Sequence, residues 1–235
     1  MLMNLSSLFS TNESKIIFYH DIHFNKKYCL ESSTSLNLFS NHVDLINESD
    51  YELVSEITNQ KLQIKIQFDD GFKGVYDCLQ FIIENKIPIE IFLIVNNINK
   101  ENYLSEQEII EMNKYPFITF SSHTVNHLQL NILDDKQLFY ELESSKNSLE
   151  KITNCEVDSV CYPKGLFNDK VVRLAKKAGY SKQYCSIPGS FKNNVYPDVY
   201  NRNLAQFCSP NEFKLLLNGG LSIFKYWFKL KHFKK

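Results

Sequence analysis

The stretch Ile64-Lys65-Ile66-Gln67-Phe68-Asp69-Asp70-Gly71 decides how the rest of this chain is read. Its first half alternates as a β-strand does, so Ile64, Ile66 and Phe68 share one face. The run then stops at two adjacent carboxylates and a glycine, the residue best suited to the unusual backbone angles of a tight turn. That puts Asp69 and Asp70 at the carboxyl end of a strand, where α/β proteins usually carry their chemistry. Two neighbouring carboxylates repel when both are ionised, so they call for a cation, a shared proton or solvent. A solvated Asp-Asp-Gly turn is the plain alternative, and the surrounding sequence has to choose between them.

Strand and helix patterns alternate on either side. Lys15 to Tyr19 is a short apolar strand pattern with His20 and Asp21 at its end, and residues 35–47 have helical spacing. Tyr51 to Val54 suggests a small strand. After the Asp-Asp-Gly turn, Val75, Leu79, Ile82 and Ile83 form one helical face, and residues 89–95 are an apolar run suited to a strand covered on both sides. Ser105 and Glu108 have capping-box spacing. A strand over 117–121 leads into Ser-His-Thr-Val-Asn-His, and Leu138, Leu142, Ser145, Leu149 and Ile152 mark a long amphipathic helix. A strand over 157–162 ends in Tyr-Pro-Lys-Gly. A helix over 168–178 stops at Gly179, a strand runs to Cys185, and after an Asn- and Pro-containing loop a last helix starts near Asn211. This order predicts a parallel α/β sheet or barrel with helices outside, in one domain spanning residues 1–235.

Composition narrows the classes. The 235 residues carry a formal net charge of -1, which argues against a nucleic-acid footprint spread over the surface. Six cysteines are scattered without a Cys-x-x-Cys pair, the pattern of free thiols in a reducing compartment. The N-terminus lacks a basic stretch followed by a long apolar core, and no run reaches the ~20 apolar residues that span a bilayer. The expectation is a cytoplasmic protein.

His123 and His127 lie four residues apart, so one helical turn would put both imidazoles on one side. Such a pair can chelate a divalent metal, with an aspartate completing a three-ligand set and positions left open for water. Two loop histidines bonded to backbone are the alternative.

Three segments together carry a resemblance. Gln67-Phe-Asp-Asp-Gly71, Ser122-His-Thr-Val-Asn-His-Leu-Gln-Leu130 and Tyr162-Pro-Lys-Gly-Leu-Phe-Asn168 resemble, in order, the leading motifs of the NodB-homology polysaccharide deacetylases. The helix ending in residues 175–180 is similar to that family too, and the resemblance extends from about Ile16 to Ala205. It implies a distorted (β/α) barrel of about seven parallel strands, a divalent metal that is most often zinc, and hydrolysis of an N- or O-acyl group on a sugar. Carried over by position, Asp70, His123 and His127 resemble the metal ligands and Asp69 the general base. A backbone N–H of the Tyr-Pro-Lys-Gly turn, that of Lys164, would help hold the oxyanion.

Departures from the pattern matter as much. Many relatives read Arg-x-Pro-Tyr-Gly at the third motif; here those places hold Cys161, Pro163 and Lys164, so the arginine that usually holds the base is missing. Arg202 is the candidate substitute, with a surface arginine as the other reading. The Lys164 ammonium could instead face an anionic substrate. The late Leu-x-His motif is absent as well, but some branches of the family carry an N-terminal Tyr-His-x-Ile strand end. Tyr19-His-Asp-Ile22 matches it, so His20 resembles the general acid, a role that suits imidazole. His23 could pair with His20 as a second metal site, and His42 reads as structural or exposed.

Residues 224–235 hold five lysines, five aromatics and no acid, which fits either a membrane-surface segment or a last helix packed on the barrel. The leading expectation is therefore a metal-dependent deacetylase acting on N-acetylated sugars of a surface glycan, nucleotide- or lipid-linked in some form. A deformylase on a lipid-linked amino sugar and a carbohydrate-binding barrel without hydrolytic activity are the competing readings.

Overall fold

The computed structural model describes residues 12–24, 30–192, 194 and 196–220. The basic aromatic segment 224–235 and Cys29 lie outside the described residues.

Strands β1 (Lys15–Tyr19), β2 (Asp21–His23), β3 (Ser33–Ser35), β4 (Glu52–Leu53), β5 (Gln63–Phe68), β6 (Ile89–Leu93), β7 (Ile118–Ser122), β8 (Ser159–Cys161), β9 (Lys182–Tyr184), β10 (Val199–Tyr200) and β11 (Asn203–Leu204) follow one another in the chain. The main sheet runs β10-β9-β8-β7-β6-β5-β1-β11, with every pair parallel and β4 added alongside β5. A separate parallel pair, β2–β3, stands beside it. The two ends of the main sheet, β10 and β11, are successive pieces of one segment, residues 199–204. The sheet therefore curls back on itself, and the broken segment acts as the seventh stave of a distorted barrel.

Alternation along β5 sorts the two sides of this sheet. Ile64, Ile66 and Phe68 join the main apolar core beneath the helices, each fully buried and contributing roughly 1.5–3 kcal/mol. Lys65, Gln67 and Asp69 turn into the barrel, where Ile16, Phe92, Cys161 and Tyr184 form a smaller apolar cluster. The long helix Asp135–Thr153 starts on an Asp134 side chain that accepts the Gln137 N–H, and it lays Leu138, Leu142, Ser145 and Leu149 against the core. The helix Glu106–Met112 opens with the expected Ser105–Glu108 capping box.

Some expectations need correction. The helix after the Asp-Asp-Gly turn is broken at Cys78 into Gly74–Asp77 and Leu79–Glu84. The segment from His123 to His127 is not a helical turn: Thr124 and His127 have φ of 70° and 57°, in the left-handed region. β10 and β11 fall within a region read as a loop, because two residues per strand leave no periodicity to detect.

Candidate active site

The residues singled out from sequence come together at the carboxyl ends of the barrel strands. His20 follows β1, Asp69 and Asp70 follow β5, His123 and His127 follow β7, and Lys164 follows β8. Gly71 makes the Asp-Asp-Gly turn possible. Its φ is 75°, and a Cβ there would sit 2.6 Å from Leu93 Cδ2.

Asp70 Oδ1 lies 3.5 Å from His123 Nε2 and 3.6 Å from His127 Nε2. It is buried and, among the described residues, has no hydrogen-bond partner. Ligands bound about 2 Å from one ion lie about 3–3.5 Å apart, so this spacing fits a shared divalent cation better than direct hydrogen bonds. The His123 Nδ1–H donates to the Cys161 carbonyl at 2.8 Å, which leaves the Nε2 lone pair facing Asp70. That is the usual backing of a metal-binding histidine. Burial first, then the neighbouring His123, push the His127 pKa down to about 4 and keep its ring neutral. The residues present thus fit a divalent metal. A second grouping, Asp69, His123 and Cys161, fits less well, because burial raises the Cys161 thiol far above its ordinary pKa.

The loop between the two histidines is anchored from below. Glu141, buried on the helix Asp135–Thr153, accepts the Val125 N–H at 3.0 Å, the Asn126 N–H at 2.9 Å and the Asn126 side-chain amide at 2.6 Å. Thr124 Oγ1 accepts the His127 N–H at 3.1 Å. Glu141 escaped the sequence reading, although an acid on the buried stripe beside Leu138 and Leu142 was a usable signal.

Asp69 is 3% exposed and grips Arg202. Arg202 Nη1 donates to Asp69 Oδ1, and Nη2 to Oδ2, both at 2.7 Å. Arg202 is fully buried, so the surface-arginine reading does not hold. Its remaining donors are also taken: Nε by the Cys185 carbonyl at 3.0 Å, Nη1 by Gln67 Oε1 at 3.3 Å, and Nη2 by Cys161 Sγ at 2.8 Å. The guanidinium stands 4.2 Å from the Phe18 ring centre. Burial alone would raise the Asp69 pKa, but the Arg202 charge and hydrogen bonds override it and hold the carboxyl well below its ordinary range. Cys161 occupies the place where many relatives carry arginine, and the Arg202 side chain from the closing stave packs directly against it.

The His20 Nδ1–H donates to Gln206 Oε1 at 2.5 Å, which leaves Nε2 as the ring nitrogen that can exchange a proton. Thr34 on β3 donates to the Gln206 carbonyl at 3.0 Å, so the small β2–β3 pair braces this partner. Nothing in the sequence pointed to Gln206, because its contact with His20 spans 186 positions. Lys164 is exposed, has φ of 58°, and brings its charge near His127. His42 is buried and structural: its Nε2–H donates to the Cys208 carbonyl at 2.8 Å, and Tyr19 OH donates to its Nδ1 at 2.9 Å. Among the described residues, His23 Nδ1 is buried without a hydrogen-bond partner and joins no cluster of metal ligands.

Comparison with known proteins gives this arrangement its family. The profile described as polysaccharide deacetylase matches residues 42–182, more than half of the chain. The Bacillus subtilis protein YxkH is 26% identical over 190 residues, covering 74% of this chain and 65% of that relative. The poly-β-1,6-N-acetyl-D-glucosamine N-deacetylase of Staphylococcus aureus is 29% identical over 133 residues, covering 51% of this chain and 46% of that relative. The chain thus spans about two thirds of one curated relative's length and about half of the other's. A solved polysaccharide deacetylase from Bacillus cereus superposes with a TM-score of 0.77 at 25% identity, over 89% of this chain and 70% of that one. Among the described residues, no helix is long and apolar enough to cross a membrane. With barrel, motifs and profile in agreement, the chain belongs to the polysaccharide deacetylase family.

Proposed function

We propose that this chain is a metal-dependent hydrolase that removes the acetyl group from an N-acetylated sugar of a surface polysaccharide. The observation that carries the reading is the division of labour between two adjacent carboxylates. Asp70 Oδ1 has no hydrogen-bond partner among the described residues and faces two imidazole nitrogens, while Asp69 is locked to Arg202. The staphylococcal relative's action on poly-β-1,6-N-acetyl-D-glucosamine supports the substrate class.

Asp70, His123 and His127 would hold a divalent cation, zinc being suited to this nitrogen and oxygen donor set. Such an ion supplies Lewis-acid polarisation of the acyl oxygen and lowers the pKa of water. Asp69 takes the proton of the attacking water, and Arg202 keeps the carboxylate ionised and aimed. The Lys164 backbone N–H supports the oxyanion, in a turn whose Gly165 and Leu166 N–H groups are already taken by the Tyr162 and Pro163 carbonyls. His20, held through Nδ1 by Gln206, returns a proton to the leaving amine from Nε2. Attack then adds the water oxygen to the acyl carbon, the C–N bond breaks, and acetate and a free amino sugar leave.

The test is acetate release from poly-β-1,6-N-acetylglucosamine and shorter N-acetylglucosamine oligomers, with and without a chelator, for the wild type and Asp69→Asn. Acetate that appears only with metal, and drops about 10²–10⁴-fold in the variant while metal binding persists, is the expected outcome. Full activity in Asp69→Asn would remove the base from the scheme.

A further inference from the structure

The barrel interior holds a line of polar side chains that the reaction itself does not use. Below Asp69 on the same face of β5 come Gln67 and Lys65, fully buried and 2% exposed. Glu90, opposite Gln67 in the β5–β6 register, completes the set. Gln67 Oε1 accepts from Arg202 Nη1 at 3.3 Å, and Gln67 Nε2 donates to Glu90 Oε2 at 2.7 Å. Glu90 Oε1 accepts from Ser121 Oγ at 2.5 Å, and Glu90 Oε2 pairs with Lys65 Nζ at 2.9 Å. Lys65 continues to Glu56 Oε1, also at 2.9 Å.

Burying these charges has to be accounted for, since a buried ion pair is weak support for stability. The geometry supplies a different reason. A side-chain amide has a donor end and an acceptor end, and nothing in Gln67 itself selects which one meets Arg202. An ionised Glu90 accepts only, so it draws the amide nitrogen and turns the amide oxygen toward the guanidinium. Reversed, the amide would point its N–H groups at a cation and push Arg202 away from Asp69. Lys65 and Ser121 keep Glu90 ionised and still.

We infer that Glu90 and Gln67 are positioning residues for the hydrolysis, orienting Arg202 and through it the Asp69 carboxylate. The inference rests on the proposed role of Asp69 as base. Neither residue touches the substrate. Their effect falls on turnover, with the metal ligands unchanged.

Glu90→Gln is the main test, because it keeps the side-chain shape and leaves Lys65 its Glu56 partner. Lys65→Met with Glu90→Leu is the second variant, since apolar replacement of both charges spares the fold. Each should lower kcat about 10–100-fold with KM and metal affinity unchanged, as a displacement near 1 Å in an aligned site does. An independent readout is available because the chain has two arginines, exposed Arg173 and buried Arg202. In 15N-arginine spectra of the wild type, the Arg202 Nη protons should be separately resolved by slow rotation. They should merge in both variants while Arg173 stays the same. Unchanged Arg202 signals with full kcat would overturn the inference, as would a kcat loss that only follows the fraction unfolded. If Asp69→Asn is inactive while Glu90→Gln is silent, only this inference fails. If Asp69→Asn is fully active, the base assignment fails instead.

Discussion

Replacing Arg202 by leucine removes the one cation bonded to Asp69 among the described residues and leaves a carboxylate at 3% exposure without its partner. Breaking a buried pair in this way costs about 3–5 kcal/mol. For a chain of this size each kcal/mol moves the melting midpoint by about 2–4 °C, so the expected drop is roughly 6–20 °C. Acetate release should fall together with stability, because Asp69 loses both its orientation and the charge that keeps it ionised. The decisive step is a compensating change. Cys161 Sγ sits 2.8 Å from Arg202 Nη2 and 3.9 Å from Asp69 Oδ2, so an arginine entering from β8 would reach the same carboxylate. Arg202→Leu combined with Cys161→Arg should recover much of the melting temperature and part of the turnover. Differential scanning calorimetry and an acetate assay on the single and double variants give the comparison. An Arg202→Leu protein that melts and turns over like the wild type would refute the claim that this pair holds the base.

Other outcomes follow from the same geometry. Asp70→Asn should weaken metal binding, measured by competition with a chromophoric chelator, while leaving the barrel folded. Glu141→Leu strands the Val125 and Asn126 N–H groups, so it should destabilise the fold by about 2–4 kcal/mol and weaken metal affinity about 10–100-fold. His20→Gln should lower amide hydrolysis about 10²–10⁴-fold yet spare an activated aryl ester, whose leaving group needs no proton. His42, neutral in the core with its pKa lowered from 6.5 to about 4 by burial, gives a stability signature. Between those values the unfolded chain binds more protons than the folded one. Stability is therefore complete above pH 6.5 and declines towards pH 4, by up to roughly 3 kcal/mol. Urea titrations at pH 7.5 and 4.5 should show a smaller drop for His42→Gln than for the wild type; equal drops would remove His42 as the cause.

Sequence reasoning proposed the parts of the candidate site that are local. Asp69, Asp70 and His123 directly follow strands whose alternation or apolar run is visible in the sequence, His127 closes the loop after one of them, and the parallel arrangement brings those ends together. It went wrong where backbone conformation depends on distant anchors. The His123–His127 segment is a loop because Glu141 takes its N–H groups and Thr124 and His127 adopt left-handed angles. It left Arg202 undecided between a buried partner and a surface residue, because the contact with Asp69 spans 133 positions and rests on a two-residue break between two-residue strands. Gln206 and Glu90 were not noticed at all, since the Gln206 contact with His20 spans 186 positions and the role of Glu90 depends on which side chains face the barrel interior.

The split stave has a consequence for how the molecule is made. Residues 199–204 emerge from the ribosome after every other strand of the main sheet. Until they arrive, β1 and β9 each have one unpaired edge and Asp69 lacks its Arg202 partner. Sealing the sheet and seating the partner of the proposed base are thus a single event. Nascent chains halted before this stave would carry the Asp-Asp-Gly turn and both loop histidines yet lack the Arg202 pairing and be prone to edge-to-edge association.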